Sequence, residues 1–326
     1  MLNKLSSTTK GLIVVNCVLS VLIFGIITLL YSYHNEKKEI QRHAKIVHEV
    51  PKPVEKVRSD EDHAEIERMI ISTLGEDKDR FAVYIFRPNK DLTPIIFQNR
   101  PMRPASMIKM FVLAKAMQDA KDGKLSLDEE LTVNPENIVG GAGSIAGFGD
   151  YGKVPARLVI EHMIKESDNT ATNILIDRVG GMEVLNAYLK EKNYFDTHFE
   201  HKMMLAYAGL TNTSSVKDLG DLFVKIYNHQ CVDDFHDKLM IEYLLKQEDT
   251  DCLPSVLTFW KIAHKTGEVE QAYHDGGICY GIHGDFIIVL MNDNYTDRFT
   301  TIDKMQKIAL YIAKKVEQEK FSGRGY

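Results

Sequence analysis

The order of its segments predicts an α+β fold for this chain. An antiparallel sheet is covered by N- and C-terminal helices, and a helical domain is inserted between the early and late strands. Two observations carry that expectation. Strand-forming segments lie early and late in the folded part, and helical periodicities fill the middle. Strands and helices that do not alternate one by one argue against a doubly wound parallel sheet. A third observation, a long apolar run near the N-terminus, places one transmembrane helix ahead of the fold.

That run extends from Gly11 to Tyr33, interrupted only by Asn16, Ser20, Thr28 and Ser32. At about 1.5 Å per residue it reaches roughly 35 Å, enough to cross a hydrocarbon core of about 30 Å. It ends in Tyr-Ser-Tyr-His-Asn-Glu-Lys-Lys, without the small residues of a signal-peptide cleavage site. Cys17 sits mid-run and does not suit a lipoprotein. The expected organisation is a cytoplasmic tail at 1–10, an uncleaved signal anchor at 11–33, a charged spacer at 34–59 and a folded domain at 60–326. The spacer carries Pro51 and Pro53 and lacks an apolar period, as a linker does. Lys37, Lys38, Arg42 and Lys45 follow the run while Lys4 and Lys10 precede it. Flanking charge alone therefore points the large domain inward. The chemistry described below points it outward, and that reading is preferred: a single-pass protein of the cell membrane with an extracytoplasmic catalytic domain.

Within the folded part, Ile66, Met69, Ile70 and Leu74 recur at helical spacing over Asp60 to Leu74. Phe81 to Phe86 and Thr93 to Phe97 are rich in strand formers. The turn residues Asn89-Lys90-Asp91 between them make a hairpin. Helical patterns follow at Met107 to Asp119, Ala156 to Lys165, Thr170 to Val179, Met182 to Glu191 and Ser215 to Tyr227. Strands return at Leu257 to His264, Gly277 to Gly281 and Asp285 to Asn292, and an amphipathic helix over Thr300 to Glu319 closes the chain.

The composition is that of a globular protein, with 44% hydrophobic and 26% charged residues. A net charge of -6 excludes a basic nucleic-acid footprint. Of the four cysteines, only Cys231 and Cys252 are placed to pair, and their spacing does not decide it. No CxxC occurs, and no pattern calls for a metal or another cofactor. His198-Phe-Glu-His201 lacks further ligands at metal-site spacing and reads as a solvated loop. Gly140 to Gly149 lacks the Gly-Lys-Ser/Thr of a phosphate loop and reads as a flexible loop near an active-site mouth. His274-Asp275 reads as a structural pair. The absence of Gly-x-Ser-x-Gly argues against an α/β-hydrolase.

Three short motifs carry chemistry. Ser106-Met-Ile-Lys109 places a hydroxyl and an amine on one face at a helix start. A serine needs a base to take its proton. An amine one turn away serves if burial and a second cation lower its pKa. Ser7 to Lys10 and Ser214 to Lys217 share the spacing, so this motif alone decides nothing. Ser167-Asp168-Asn169 lies between two helical segments. It reads equally as a helix cap and as a second hydroxyl beside a carboxamide that grips a substrate amide. Lys265-Thr266-Gly267 ends a strand-like segment. It offers an ammonium and a hydroxyl for a carboxylate, beside a glycine that admits a ligand close to the backbone. Each tripeptide is expected by chance in roughly one chain in ten, and both in this order behind a Ser-x-x-Lys in well under about one in a hundred.

With these three motifs the chain resembles the class A β-lactamase-like family of penicillin-recognising serine hydrolases, for which this trio is the known signature. The spacings between Ser106, Ser167 and Lys265 suit that family's layout, and the resemblance covers Asp60 to the C-terminus. It implies a β-lactamase/transpeptidase-like fold. It also implies that Ser106 forms an acyl-enzyme, Lys109 is its base and Ser167 passes a proton to the leaving nitrogen. Asn169 would hold the substrate amide, and Lys265 and Thr266 its carboxylate. Lys265 would help lower the pKa of Lys109. Behind Gly267, the backbone N–H of Glu268 would complete an oxyanion hole with that of Ser106, each donor commonly worth about 10²–10³ in rate. The implied partner is a small-molecule β-lactam or a peptidoglycan stem peptide. The chain departs from the family between Thr197 and Thr213. Where a deacylating glutamate is expected it has Met203 and Met204, with Glu200 out of register. Three functions follow as expectations: β-lactam hydrolysis, a D,D-peptidase that penicillin acylates but that deacylates slowly, and non-catalytic binding of the same ligands.

Overall fold

The computed structural model describes residues 60–205 and 209–322. The expected tail, anchor and spacer at 1–59 lie outside the described residues. Among the described residues no helix is long and apolar enough to cross a membrane.

Helix α1 (Asp60–Leu74) leads into β1 (Phe81–Phe86) and the short β2 (Ile95–Phe97). The inserted part begins with α2 (Lys109–Lys121), followed by β3 (Glu130–Thr132), β4 (Lys153–Pro155), α3 (Ala156–Lys165) and α4 (Asn169–Arg178). It continues through α5 (Gly181–Glu191), α6 (Val216–Tyr227), α7 (Asp234–Leu244) and the single turn α8 (Leu253–Val256). Strands β5 (Lys261–Val269), β6 (Ala272–Tyr280) and β7 (Asp285–Asp293) return to the sheet, and α9 (Arg298–Ser322) closes the fold. The sheet order is β2-β1-β7-β6-β5, with every neighbour antiparallel. The early hairpin and the late strands thus form one sheet, as the segment order predicts.

Alternation along each strand sorts the side chains onto two covered faces. On β7, Phe286, Ile288 and Leu290 meet Ile66, Ile70, Met305, Ile308 and Ile312 of the terminal helices. Ile287, Val289 and Met291 meet the inserted helices through residues such as Met107, Phe111 and Leu219. Because both faces are covered, β1 reads as an unbroken apolar run, Phe-Ala-Val-Tyr-Ile-Phe, with every residue buried.

Several boundaries differ from expectation. Strands β5 and β6 are nine residues each, joined at Glu270-Gln271, with Gln271 left-handed at φ 58°. Lys265-Thr266-Gly267 therefore lies inside β5 rather than at a strand end. The polar run Tyr273-His274-Asp275 does not look like a strand, because its polar groups are satisfied or buried inside. Helix α7 and the β3–β4 pair were not expected; α7 starts on a capping Asp233 that accepts from the backbone N–H of His236 at 2.9 Å. Cys231, Cys252 and Cys279 are free thiols, so Cys231 and Cys252 do not pair.

Candidate active site

The turn bearing Ser106 is anchored from both sides. Met102 and Ser214 exchange backbone hydrogen bonds at 2.8 and 3.0 Å. Ala105 then takes a left-handed conformation, φ 47°, which costs a non-glycine residue about 1–2 kcal/mol. A four-residue 3₁₀ turn, Ala105–Ile108, runs straight into α2. Ser106 is half-buried, while Lys109, three residues on, is fully buried. The turn packs against β5 at Gly267. A Cβ there would lie 2.8 Å from the Pro104 carbonyl oxygen and 3.0 Å from the Met107 nitrogen. Gly267 is thus required by the protein's own Ser106 turn.

Ser167 is the meeting point of the site. It joins α3 to α4 with φ 57°, a second left-handed non-glycine residue. Such residues persist where the surroundings over-determine them. Its hydroxyl oxygen accepts from Lys109 Nζ at 3.2 Å and from Lys265 Nζ at 2.9 Å. Lys109 also donates to the Ser167 carbonyl and to Asn169 Oδ1, the latter at 2.8 Å. Lys265 also donates to the Thr266 carbonyl at 2.7 Å. Burial pushes Lys109 well below the ordinary lysine value, and the facing Lys265 charge adds to it. Burial lowers Lys265 to about 7, against the pull of Asp249 and Asp275. The structure therefore brings Lys109, Ser167, Asn169 and Lys265 into one hydrogen-bonded cluster beside the Ser106 turn. The Ser106 hydroxyl itself makes no side-chain hydrogen bond among the described residues.

In the middle motif the helix cap is Asp168, while Ser167 and Asn169 turn toward the lysines. Asp168 caps α4, its Oδ1 accepting from the Ala171 N–H at 2.7 Å, and its Oδ2 accepts from the Ile145 N–H at 2.7 Å. The Asn169 backbone N–H donates to Ala142 O at 3.1 Å and its Nδ2 to Gly140 O, also at 3.1 Å. The glycine-rich segment is thus pinned over Asp168 and Asn169 rather than left loose. Its glycines are needed there. Gly143 has φ 107°, and a Cβ on it would fall 2.1 Å from Asp168 Cγ. Thr266 is buried beside this cluster. The side chain of Glu268 turns outward into a two-pronged pair with Arg298 at 2.7 and 3.0 Å.

His274 and Asp275 do not pair with each other, because neighbours on a strand face opposite ways. His274 Nε2 meets the Arg103 carbonyl at 2.7 Å and its Nδ1 meets the Asn292 N–H at 3.2 Å; burial lowers its pKa to about 4. Asp275 meets His264 Nδ1 at 2.8 Å on the other face.

The described residues of the departing segment are also tied by hydrogen bonds. Thr197 and Ser214 hydroxyls meet at 2.9 Å across its neck, and Asp218 accepts from the Thr197 hydroxyl at 2.8 Å and the Asp196 N–H at 2.9 Å. Inside it, Asn173 makes a two-way clamp. Its Oδ1 accepts from the Met203 N–H at 2.8 Å and its Nδ2 donates to the Met203 carbonyl at 3.1 Å. Sequence reasoning missed Asn173, although it lies four residues after Asn169 on the same helix face, a legible signal. The clamped residue is a methionine packed on the core, and Glu200 faces outward beside His198 at 3.4 Å.

Comparison with known proteins places this geometry. A sequence model of the β-lactamase enzyme family matches residues 65–316. The extended-spectrum β-lactamase PER-1 of Pseudomonas aeruginosa is 25% identical over 138 residues, covering 40% of this chain and 44% of that enzyme. The match thus spans less than half the length of that relative. The structure of PBP-A superposes with a TM-score of 0.72 at 23% identity, over 82% of this chain and 99% of that one. An acyl-enzyme complex of a PBP-A variant with penicillin G gives the same TM-score and identity, over 82% of this chain and 100% of that one. At these identities the structural likeness establishes the fold.

Proposed function

The chain belongs to the β-lactamase enzyme family, and on that premise we propose that it is a serine hydrolase. It opens the amide of a β-lactam through an acyl-enzyme on Ser106 and releases the acyl group slowly. The observation that carries the acylation half is the convergence of Lys109 and Lys265 on the Ser167 hydroxyl. An amine whose ammonium form is destabilised by burial is a usable base at neutral pH. Ser106 Oγ attacks the carbonyl carbon and its proton passes to Lys109; as the C–N bond breaks, Ser167 gives its proton to the departing nitrogen and takes the one held by Lys109. Lys265 is the proton-rich partner. Two of its three N–H donors are used within the protein, leaving one for a substrate carboxylate beside Thr266. Asn169 likewise keeps one N–H for a substrate amide. The backbone N–H groups of Ser106 and Glu268 complete the proposal as oxyanion donors.

Met203 favours a second reading, a D,D-peptidase acting on peptidoglycan stem peptides. The clamp holds a backbone where a water-activating carboxylate would act, but presents a thioether that cannot take a proton. The apolar run Gly11–Tyr33 supports a membrane-held protein, and the proposed chemistry favours a catalytic domain outside the cytoplasm, which a reporter fused after α9 would test. For the chemistry, a fluorescent penicillin should label the protein through denaturation, and Ser106→Ala should abolish the label. Reversible binding of the penicillin with no label surviving denaturation would instead support a binder without catalysis. Release of terminal D-alanine from a stem pentapeptide would favour the peptidase.

A further inference from the structure

One end of the sheet carries side chains that the fold leaves uncovered. Phe259, just before β5, is 91% exposed, and Ile282, in the β6–β7 turn, is 85% exposed. The register sets them side by side, since Lys261 pairs with Tyr280 and a Cβ on Gly281 would lie 2.5 Å from the Trp260 ring. Leu92, 57% exposed in the β1–β2 loop, lies at the same end, because Phe86 pairs with Ile287 near the start of β7. Three exposed apolar side chains thus share this end of the sheet. A soluble surface rarely gathers such residues without a partner.

The chain enters the described fold at this same end. The first turn of α1 is ion-paired to the β1–β2 loop, Asp62 to Lys90 at 3.2 Å and His63 to Asp91 at 3.2 Å. Residue 60 therefore lies at the same end of the sheet as these side chains, and the sequence leading to it contains the run Gly11–Tyr33. We infer that Phe259 and Ile282, with Leu92, form a tip that inserts into the interface of a lipid bilayer. Exposed apolar tips gathered at one end of the sheet suit a headgroup boundary, into which such side chains sink by about 5–10 Å. The consequence is a fixed height. At about 3.3 Å per residue, β5 carries Lys265 roughly 15–20 Å from Phe259, so the reactive cluster would sit at that distance from the surface. The inference rests on the membrane-held reading of the preceding subsection, and the following test separates the two.

Trp260 is the one tryptophan in the chain and adjoins Phe259. The full-length protein is reconstituted into phosphatidylcholine vesicles containing acyl-chain-brominated lipid. Retention after an alkaline wash reads the anchor; Trp260 fluorescence reads the tip. The expected result is retention with a loss of Trp260 fluorescence, a loss that Phe259→Ser/Ile282→Ser reverses without changing retention or penicillin labelling. Retention with undiminished fluorescence overturns the tip. The same unquenched result with concentration-dependent self-association, lost in the double variant, assigns these side chains to a second copy and equally overturns it. Loss on washing overturns the anchor alone; vesicles added to the unanchored protein then decide the tip by the same quenching.

Discussion

The Ser167 junction and the Met203 clamp are built to the same standard and serve opposite ends. Each is a backbone held in place by buried polar side chains. At Ser167 two lysines converge on a hydroxyl, with burial holding their proton affinities low. At Met203 an asparagine holds both backbone groups and the side chain offers nothing to a proton. Scaffolding and chemistry are therefore separable. On the proposed reading, the loop would keep the geometry of a catalytic position while its occupant removes one half-reaction.

The largest effect should come from the acylating side. Lys109→Ala should slow penicillin labelling by about 10²–10⁴, the usual worth of a positioned base. Stopped-flow labelling checks it, and an unchanged rate would mean that the buried cluster is structural. The converse experiment puts a carboxylate on the clamp. Met203→Glu should speed release of the acyl group, by up to about 10²–10⁴ if the new carboxylate reaches the ester. Unchanged release would show that the clamp does not face the acyl group.

Asn173→Leu should sharpen the comparison by loosening the loop alone. Leaving the Met203 backbone groups unpaired costs about 1–3 kcal/mol, read as a lowered denaturation midpoint, while the labelling rate changes little. Next comes pH. Lys265 loses its charge as pH rises through about 7, so binding of a carboxylate-bearing β-lactam should weaken above that pH, and a carboxylate-free analogue should not follow. The smallest effect lies at the loop neck. Burial raises Asp218 to about 6, above its unfolded value, so the stability it contributes is present at low pH and is lost as pH rises through about 6. Asp218→Asn should flatten that slope in thermal melts across this range.

Legibility followed the same division. The sheet with its inserted helices could be read from segment order, because apolar periodicity is local. The clustering of Lys109, Ser167 and Lys265 beside the Ser106 turn could be read only through the motifs' joint occurrence, since Ser214 to Lys217 shows the same spacing with no such cluster. The interior position of Lys265 in β5 was hidden by Tyr273-His274-Asp275, whose burial depends on partners distant in sequence, Arg103 and His264. The crowding at Gly143 and Gly267 was hidden too, because a glycine shows its reason only when the facing atoms are known.

The most direct test follows intact mass after a single addition of penicillin. The account predicts an adduct on Ser106 that forms and then outlasts removal of free drug. An adduct that clears rapidly while hydrolysed drug accumulates would contradict it, and would mean that some group other than residue 203 activates the deacylating water.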